Sequence, residues 1–212
     1  MVESKKLCYD KRGQLLVKNL QSRHFDAYYC PDKESALLQA LSLIPQGASV
    51  GWGGAMSAQE IGLLDAVRAG NYLALDRDQC ATDQEREQNM KACMFCDVFI
   101  TGANGMSMDG QMVNVDGTGN RVAATIFGPK SVIVIAGMNK VQDSLEQAIS
   151  RARSVAAPMN QQRFHRNVPC DATGKCVDCK AEECICNQIV ITRHCRPAGR
   201  IKFIIVGEDL GL

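Results

Sequence analysis

Ala48-Ser-Val-Gly-Trp-Gly-Gly-Ala-Met-Ser57 is the stretch that decides the fold class. Its first half, Ala48 to Trp52, reads as a short buried strand, and the glycines that follow allow a tight turn into a helix starting near Ser57. Ile61, Leu63, Leu64 and Val67 supply the apolar spacing of that helix, Gly70-Asn71 breaks it, and Tyr72 to Leu75 reads as the next strand. Strand, turn, helix and strand in this order make a βαβ unit, which places the two strands parallel in one sheet.

The same alternation extends in both directions. Toward the N-terminus, a polar helix over residues 4–22 precedes a strand at Phe25 to Tyr29. Asp32 then caps a helix with Ala36, Leu37, Ala40, Leu41 and Ile44 on one face, ended by Pro45-Gln-Gly47. Toward the C-terminus, Thr82-Asp-Gln-Glu85 has capping-box spacing, so a helix runs from there to about Phe95, before a strand at Val98 to Thr101. Residues 102–119, rich in Asn, Asp and Gly, read as a hairpin-like excursion with Gln111 to Val115 as its better strand. Arg121 to Phe127 is a short helix, Ser131 to Ala136 a central strand, and Val141 to Ala156 a long helix stopped by Pro158. Gln188 to Thr192 and Ile201 to Val206 close the chain as two late strands. The prediction is an α/β fold, a mostly parallel open sheet with helices on both faces. Residues 1–212 form one domain, with a Cys-rich loop at 165–187 near the C-terminus.

Composition narrows the partners. The 212 residues are 46% hydrophobic and 22% charged, with 24 Lys and Arg against 23 Asp and Glu, a net charge of +1. Nucleic acid and anionic membrane surfaces call for a basic excess that is missing here, so neither is expected as a partner. The start of the chain has no apolar leader, and no apolar run reaches membrane-spanning length, so the expected location is the cytoplasm, without membrane insertion.

The glycine turn suits an anion, because glycine lets the backbone approach a ligand and the helix behind it offers N–H groups. Gly51, Gly53, Gly54 and Ser57 are therefore candidates for a phosphate, a carboxylate or a pyrophosphate. The spacing departs from the dinucleotide fingerprint, which requires glycine where Met56 stands, and no lysine follows the last glycine as a Walker loop requires. Asp76, at the end of the next strand, keeps a nicotinamide cofactor as a minor option only. The competing reading is a tight turn with no ligand. A second polar run, Thr101-Gly-Ala-Asn104 onward through Asp109, Asn114, Asp116 and Asn120 to Arg121, opens at the C-terminal end of a strand, where open α/β sheets bind ligands. Each of these residues is also a turn former.

Eleven cysteines need separate treatment. In a reducing compartment they point to free thiols, metal ligation or redox chemistry rather than to a disulfide framework. Cys8, Cys30, Cys80, Cys93, Cys96 and Cys195 are scattered, whereas Cys170, Cys176, Cys179, Cys184 and Cys186 crowd together. Four thiolates suit zinc or an iron–sulphur cluster equally. Cys170, Cys176 and Cys179 supply three, with Cys184 and Cys186 both available for the fourth. The spacing matches neither the ferredoxin run nor the paired knuckles of a zinc ribbon, and a loop of reduced thiols is the plain alternative.

Several of these runs together resemble the LUD (lactate-utilisation) domain: Ser49-Val-Gly-Trp-Gly-Gly-Ala-Met-Ser57, Thr101-Gly-Ala-Asn104, Val113-Asn-Val-Asp-Gly117, Gly119-Asn-Arg-Val-Ala123, Ile126-Phe-Gly-Pro-Lys130, Gly137-Met-Asn-Lys140 and Gly207-Glu-Asp-Leu-Gly211. The resemblance spans nearly the whole chain, as a short stand-alone member. It implies an architecture shared with glucosamine-6-phosphate deaminase, ribose-5-phosphate isomerase and CoA transferases. It also implies a role in oxidising L-lactate to pyruvate alongside iron–sulphur partner proteins. By the same resemblance Gly51, Gly53, Gly54, Ser57, Asn104 and Asp116 become ligand-binding positions, and Cys186, before Asn187, becomes the fourth metal ligand beside Cys170, Cys176 and Cys179. No Lys or Glu falls in a matching catalytic motif, and His24, His165 and His194 lie outside the glycine runs, so catalytic residues stay unassigned. The alternatives are an independent enzyme or binding protein for a phosphorylated, CoA-linked or folate-like molecule, and a metal-sensing regulator.

Overall fold

The computed structural model describes residues 2–212. In chain order its elements are α1 (Glu3–Ser22), β1 (Asp26–Cys30), α2 (Lys33–Ser42), β2 (Ser49–Trp52), α3 (Met56–Glu60), α4 (Leu63–Ala69), β3 (Leu73–Leu75), α5 (Asp83–Ala92), β4 (Val98–Gly102), β5 (Gly105–Ser107), β6 (Met112–Asp116), α6 (Asn120–Phe127), β7 (Ser131–Gly137), β8 (Val141–Gln142), α7 (Leu145–Arg151), α8 (Ala157–Gln161), α9 (Pro169–Thr173), β9 (Gln188–Thr192) and β10 (Ile201–Val206). Six of the strands form a parallel sheet in the order β1-β10-β7-β4-β2-β3.

Both faces of that sheet are buried, and the period-two alternation of its central strands shows how. Val132, Val134 and Ala136 of β7, with Phe203 and Ile205 of β10, join Leu16 and Leu20 of α1 on one face. Their neighbours Ile133, Ile135, Ile204 and Val206 join Ala36 and Ala40 of α2 and Leu63, Leu64 and Val67 of α4 on the other. A run of consecutive apolar residues is therefore the sequence mark of a middle strand, and Val132 to Ala136 carries it.

The excursion at 102–119 is larger than a hairpin. β5 and β6 pair antiparallel, and β8 and β9 extend them into a second sheet of order β8-β5-β6-β9. Its own small core, with Val113 and Val115, packs on Ala148 and Ala152.

Two helix expectations are corrected. Val141 belongs to β8, and the helix starts only after Ser144, whose hydroxyl accepts from Gln147 N in a capping box. Pro158 does not stop it. A widened π turn at Ala152–Ala156 precedes α8, and the proline takes a first-turn position there, where its missing N–H costs little. The helix after the glycine turn is likewise divided, because Gly62 adopts φ 79° between α3 and α4. Among the described residues no helix is long and apolar enough to cross a membrane.

Candidate functional site

β2, β4 and β7 are neighbours in the sheet, so the loops at their C-terminal ends converge. The result is a cleft of about 730 Å³. Gly54 and Ser57 come from the turn after β2, Gly102 and Asn104 from the end of β4, and Lys140 from the turn after β7. Asp116, Asn120 and Arg121 reach it from the second sheet and the start of α6. Arg77, Arg86, Arg163 and Arg166 add four more guanidinium groups to its lining, opposed by Asp83 and Glu182. A cleft with this many cations favours an anionic occupant.

The positions expected from sequence separate into three kinds. Gly54, Ser57, Asn104 and Asp116 line the cleft. Gly53 stands behind it, and a side chain there would collide with Arg121, whose Cγ lies 2.9 Å from where a Cβ would be. Gly51 points away, into the sheet packing, where a Cβ would stand 2.6 Å from the Cys93 sulphur.

Asp116 and Asn104 hold Arg121 in place. The Arg121 Nε donates to Asp116 Oδ2 at 3.1 Å, and its Nη2 donates to Asn104 Oδ1 at 2.9 Å and to the Val115 carbonyl at 2.5 Å. The other Asp116 oxygen accepts from Gly119 N at 2.8 Å. This carboxylate is therefore spent on orienting a cation, and it leaves Arg121 Nη1 and Asn104 Nδ2 without a protein acceptor among the described residues. Asp109 and Asn114, from the same sequence run, serve structure instead. Asp109 pairs with Arg23, and Asn114 Nδ2 donates to the Gly102 carbonyl at 3.0 Å. Asp76, where a ribose acid would stand, accepts from Arg68 Nε at 2.8 Å and from Asp78 N at 2.9 Å. None of the three histidines is among the residues lining the cleft.

Lys140 is the residue that the sequence reading passed over, although Gly137-Met-Asn-Lys140 was among its motifs. It is 4% exposed, and its Nζ donates to Ser57 Oγ at 3.0 Å. Burial, followed by the positive charges of Arg151 and Arg121, brings its ammonium down to about 7, with Glu60 pulling weakly the other way. Between about pH 7 and the ordinary lysine range, the unfolded chain keeps a proton on Lys140 that the folded chain has released, so raising the pH favours the folded state. The expected gain is at most about 1.4 kcal/mol per pH unit from this group. Above pH 9 the trend reverses, because the buried thiols Cys93 and Cys96, the latter pushed up to about 11, ionise first in the unfolded chain. Urea unfolding at pH 7 and 8.5 checks this: Lys140→Met should flatten the slope, and an unchanged slope would rule out the assignment.

The crowded cysteines occupy a second, smaller cavity of about 80 Å³. Cys170, Cys176, Cys179, Cys184 and Cys186 all line it, at the edge of α8 beside Pro158. All five are free thiols. Cys186 is pushed up to about 12, by burial first and then by Cys184, Cys176 and Cys170, while burial and Cys179 raise Cys170. In donor chemistry these thiols fit zinc or an iron–sulphur cluster. In placement they converge without closing, since among the described residues no three Cys, His, Asp or Glu groups stand together at metal-holding distances. The loop would have to draw inward to coordinate. Cys184 lines the cleft as well as the thiol cavity, so the two share a wall.

Comparison with known proteins shows the family and the fold. A family model described as LUD domain matches residues 13–206. Among solved structures the chain is similar to a DUF162 family protein from Deinococcus radiodurans, with a TM-score of 0.54 and 9% identity over 93% of this chain and 97% of that one. It is also similar to ribose 5-phosphate isomerase A from Neisseria gonorrhoeae, with a TM-score of 0.34 and 16% identity over 53% of this chain and 54% of that one. The first likeness concerns the fold alone. No curated protein matches the sequence.

Proposed function

The chain belongs to the LUD domain family, and we propose that it serves L-lactate oxidation to pyruvate by seating a small anionic ligand beside a metal-bearing thiol site, together with iron–sulphur partner proteins. The carrying observation is the wall shared through Cys184 between the cationic cleft and the thiol cavity. In this reading Cys170, Cys176, Cys179 and Cys186 hold the metal, and Arg121 with the turn at Gly54 and Ser57 holds the anion. An iron–sulphur cluster would supply an electron carrier next to the ligand, and zinc a structural clasp. Arg121, oriented by Asp116 and Asn104, fixes the ligand's anionic group, while the neighbouring Lys140, hydrogen-bonded to Ser57, offers an amine that takes up or releases a proton near neutral pH.

One observation favours a second reading. A cleft of about 730 Å³ is in the range that holds cofactor-sized ligands, and lactate would fill little of it. An independent enzyme or binding protein for a phosphorylated, CoA-linked or folate-like molecule fits that volume.

Anaerobic purification followed by elemental analysis, a visible spectrum and calorimetry with L-lactate, inorganic phosphate and coenzyme A tests both. Zinc or iron should be near stoichiometric in the wild type and lost together in Cys176→Ser and Cys179→Ser, and brown colour would select the cluster. Gly54→Val should fold, since nothing lies within 4 Å of a Cβ placed there, yet it should weaken anion binding by crowding the cleft. Substoichiometric metal indifferent to those serines would sink the thiol site. Anion affinity unchanged in Gly54→Val would remove the turn from the site, and binding of coenzyme A without lactate would select the second reading.

A further inference from the structure

A lysine buried without a counter-ion is costly unless something else is gained, because an ammonium group loses its hydration and gets no carboxylate in return. Lys140 is in this position: it is 4% exposed, it donates to the Ser57 hydroxyl, and among the described residues no carboxylate lies within 4.0 Å of its Nζ. If the position only needed filling, an apolar side chain would do so at no such cost. Instead Lys140 lines the cleft, its Nζ held at the hydroxyl of Ser57, with Ser57 and Arg121 in the same lining. Desolvation and neighbouring cations are the two conditions that keep a lysine amine neutral and nucleophilic, and both are met here.

We propose that Lys140 is a nucleophile that forms an imine with an aldehyde or ketone bearing a carboxylate or phosphate, the anionic group resting against Arg121. The Nζ lone pair attacks the carbonyl carbon while the C=O π pair moves onto oxygen. The resulting carbinolamine then loses that oxygen as water, which carries away the two amine protons, and a C=N bond remains. No oxidant or reductant enters. The Ser57 hydroxyl, 3.0 Å from Nζ, is placed to pass a proton toward the departing oxygen. Arg121 offers the anion its Nη1, because its other two nitrogens are held by Asp116, Asn104 and the Val115 carbonyl. The inference rests on the reading of this cleft as an anion site.

The experiment is reductive trapping. The full chain is incubated with pyruvate or with glyceraldehyde 3-phosphate and sodium borohydride, which converts an imine to a stable secondary amine, and the adduct is located by peptide mass mapping. Lys140 should be labelled on the order of a hundredfold above exposed lysines such as Lys11 and Lys18 near pH 7.5, where an ordinary lysine keeps only about a thousandth of its amines neutral. Excess inorganic phosphate should suppress the adduct, Lys140→Met should abolish it, and Ser57→Ala should slow it. If Lys140→Met fails to fold, the wild-type map decides alone. Adducts spread evenly over exposed lysines, or none at Lys140, would overturn the proposal. Phosphate binding measured calorimetrically in the cleft without any Lys140 adduct removes the imine and leaves the anion site standing, whereas absence of both removes both.

Discussion

Alanine at position 121 should cost the protein about 3–5 kcal/mol of stability along with its anion binding, the penalty typical of removing one partner of a buried ion pair. The Arg121 and Asp116 side chains are 12% and 7% exposed, and their 3.1 Å contact is the only ion pair Asp116 makes among the described residues. Without the guanidinium, the carboxylate keeps only the Gly119 N–H, and the Asn104 and Val115 oxygens each lose a donor. For a chain of this length that loss corresponds to a fall in Tm of about 6–20 °C. Thermal unfolding of Arg121→Ala measures it, and a loss under about 1 kcal/mol would mean that the pair is solvated, as surface pairs are. The double variant Arg121→Met with Asp116→Leu should recover much of the stability, because no unpaired charge stays buried, but none of the anion affinity. That split separates the pair's structural role from its role in the cleft.

Gly105→Val should be the most damaging glycine replacement near the site, with a cost of about 3 kcal/mol at the upper end of what overpacking usually exacts. A Cβ at Gly105 would lie 2.4 Å from the Ala148 carbonyl oxygen and 3.1 Å from its carbon. Both atoms are helix backbone, so no rotamer change relieves the clash, and β5 would have to lift away from α7. Asn104 precedes this strand, and its carbonyl accepts from Arg151 Nη1 at 2.5 Å, so the displacement should also disturb the cleft. Urea midpoints for Gly105→Val and Gly54→Val provide the comparison. Equal stability of the two variants would show that β5 tolerates the shift.

The layers of the fold were legible because they depend on local chemistry. The apolar run Val132 to Ala136 read as a buried strand and is covered on both sides, Asp32 caps its helix as expected, and the capping box at Thr82 formed as its spacing required, with Glu85 completing it. Where local signals competed with packing, the reading failed. Pro158 looked like a stop, yet the π turn before it absorbs the ring, and Val141 had the spacing of a helix but pairs with Met106 in the second sheet. The same limit applies to the site. Gly54, Ser57, Asn104 and Asp116 stood in runs that could be read as ligand-facing, and they do line one cleft. Gly51 belonged to the same run, but it lies within β2, paired with Leu75 and Phe99 and packed against Cys93, and not in the turn beyond the strand's end.

By itself the sequence determined the parallel α/β layering, the glycine turn after β2 and the clustering of five thiols in one loop, since periodicity, capping and spacing are properties of neighbours along the chain. Only the tertiary structure decided that the last strand, β10, inserts between β1 and β7, that β9 completes a second sheet with β6, and that Lys140 is buried against Ser57, 83 positions away in the chain. Such pairings depend on which surfaces are left to be covered once the local elements have formed. The lowered pKa of Lys140 likewise comes first from the exclusion of water and then from Arg151 and Arg121, which the residues beside the lysine in sequence do not reveal.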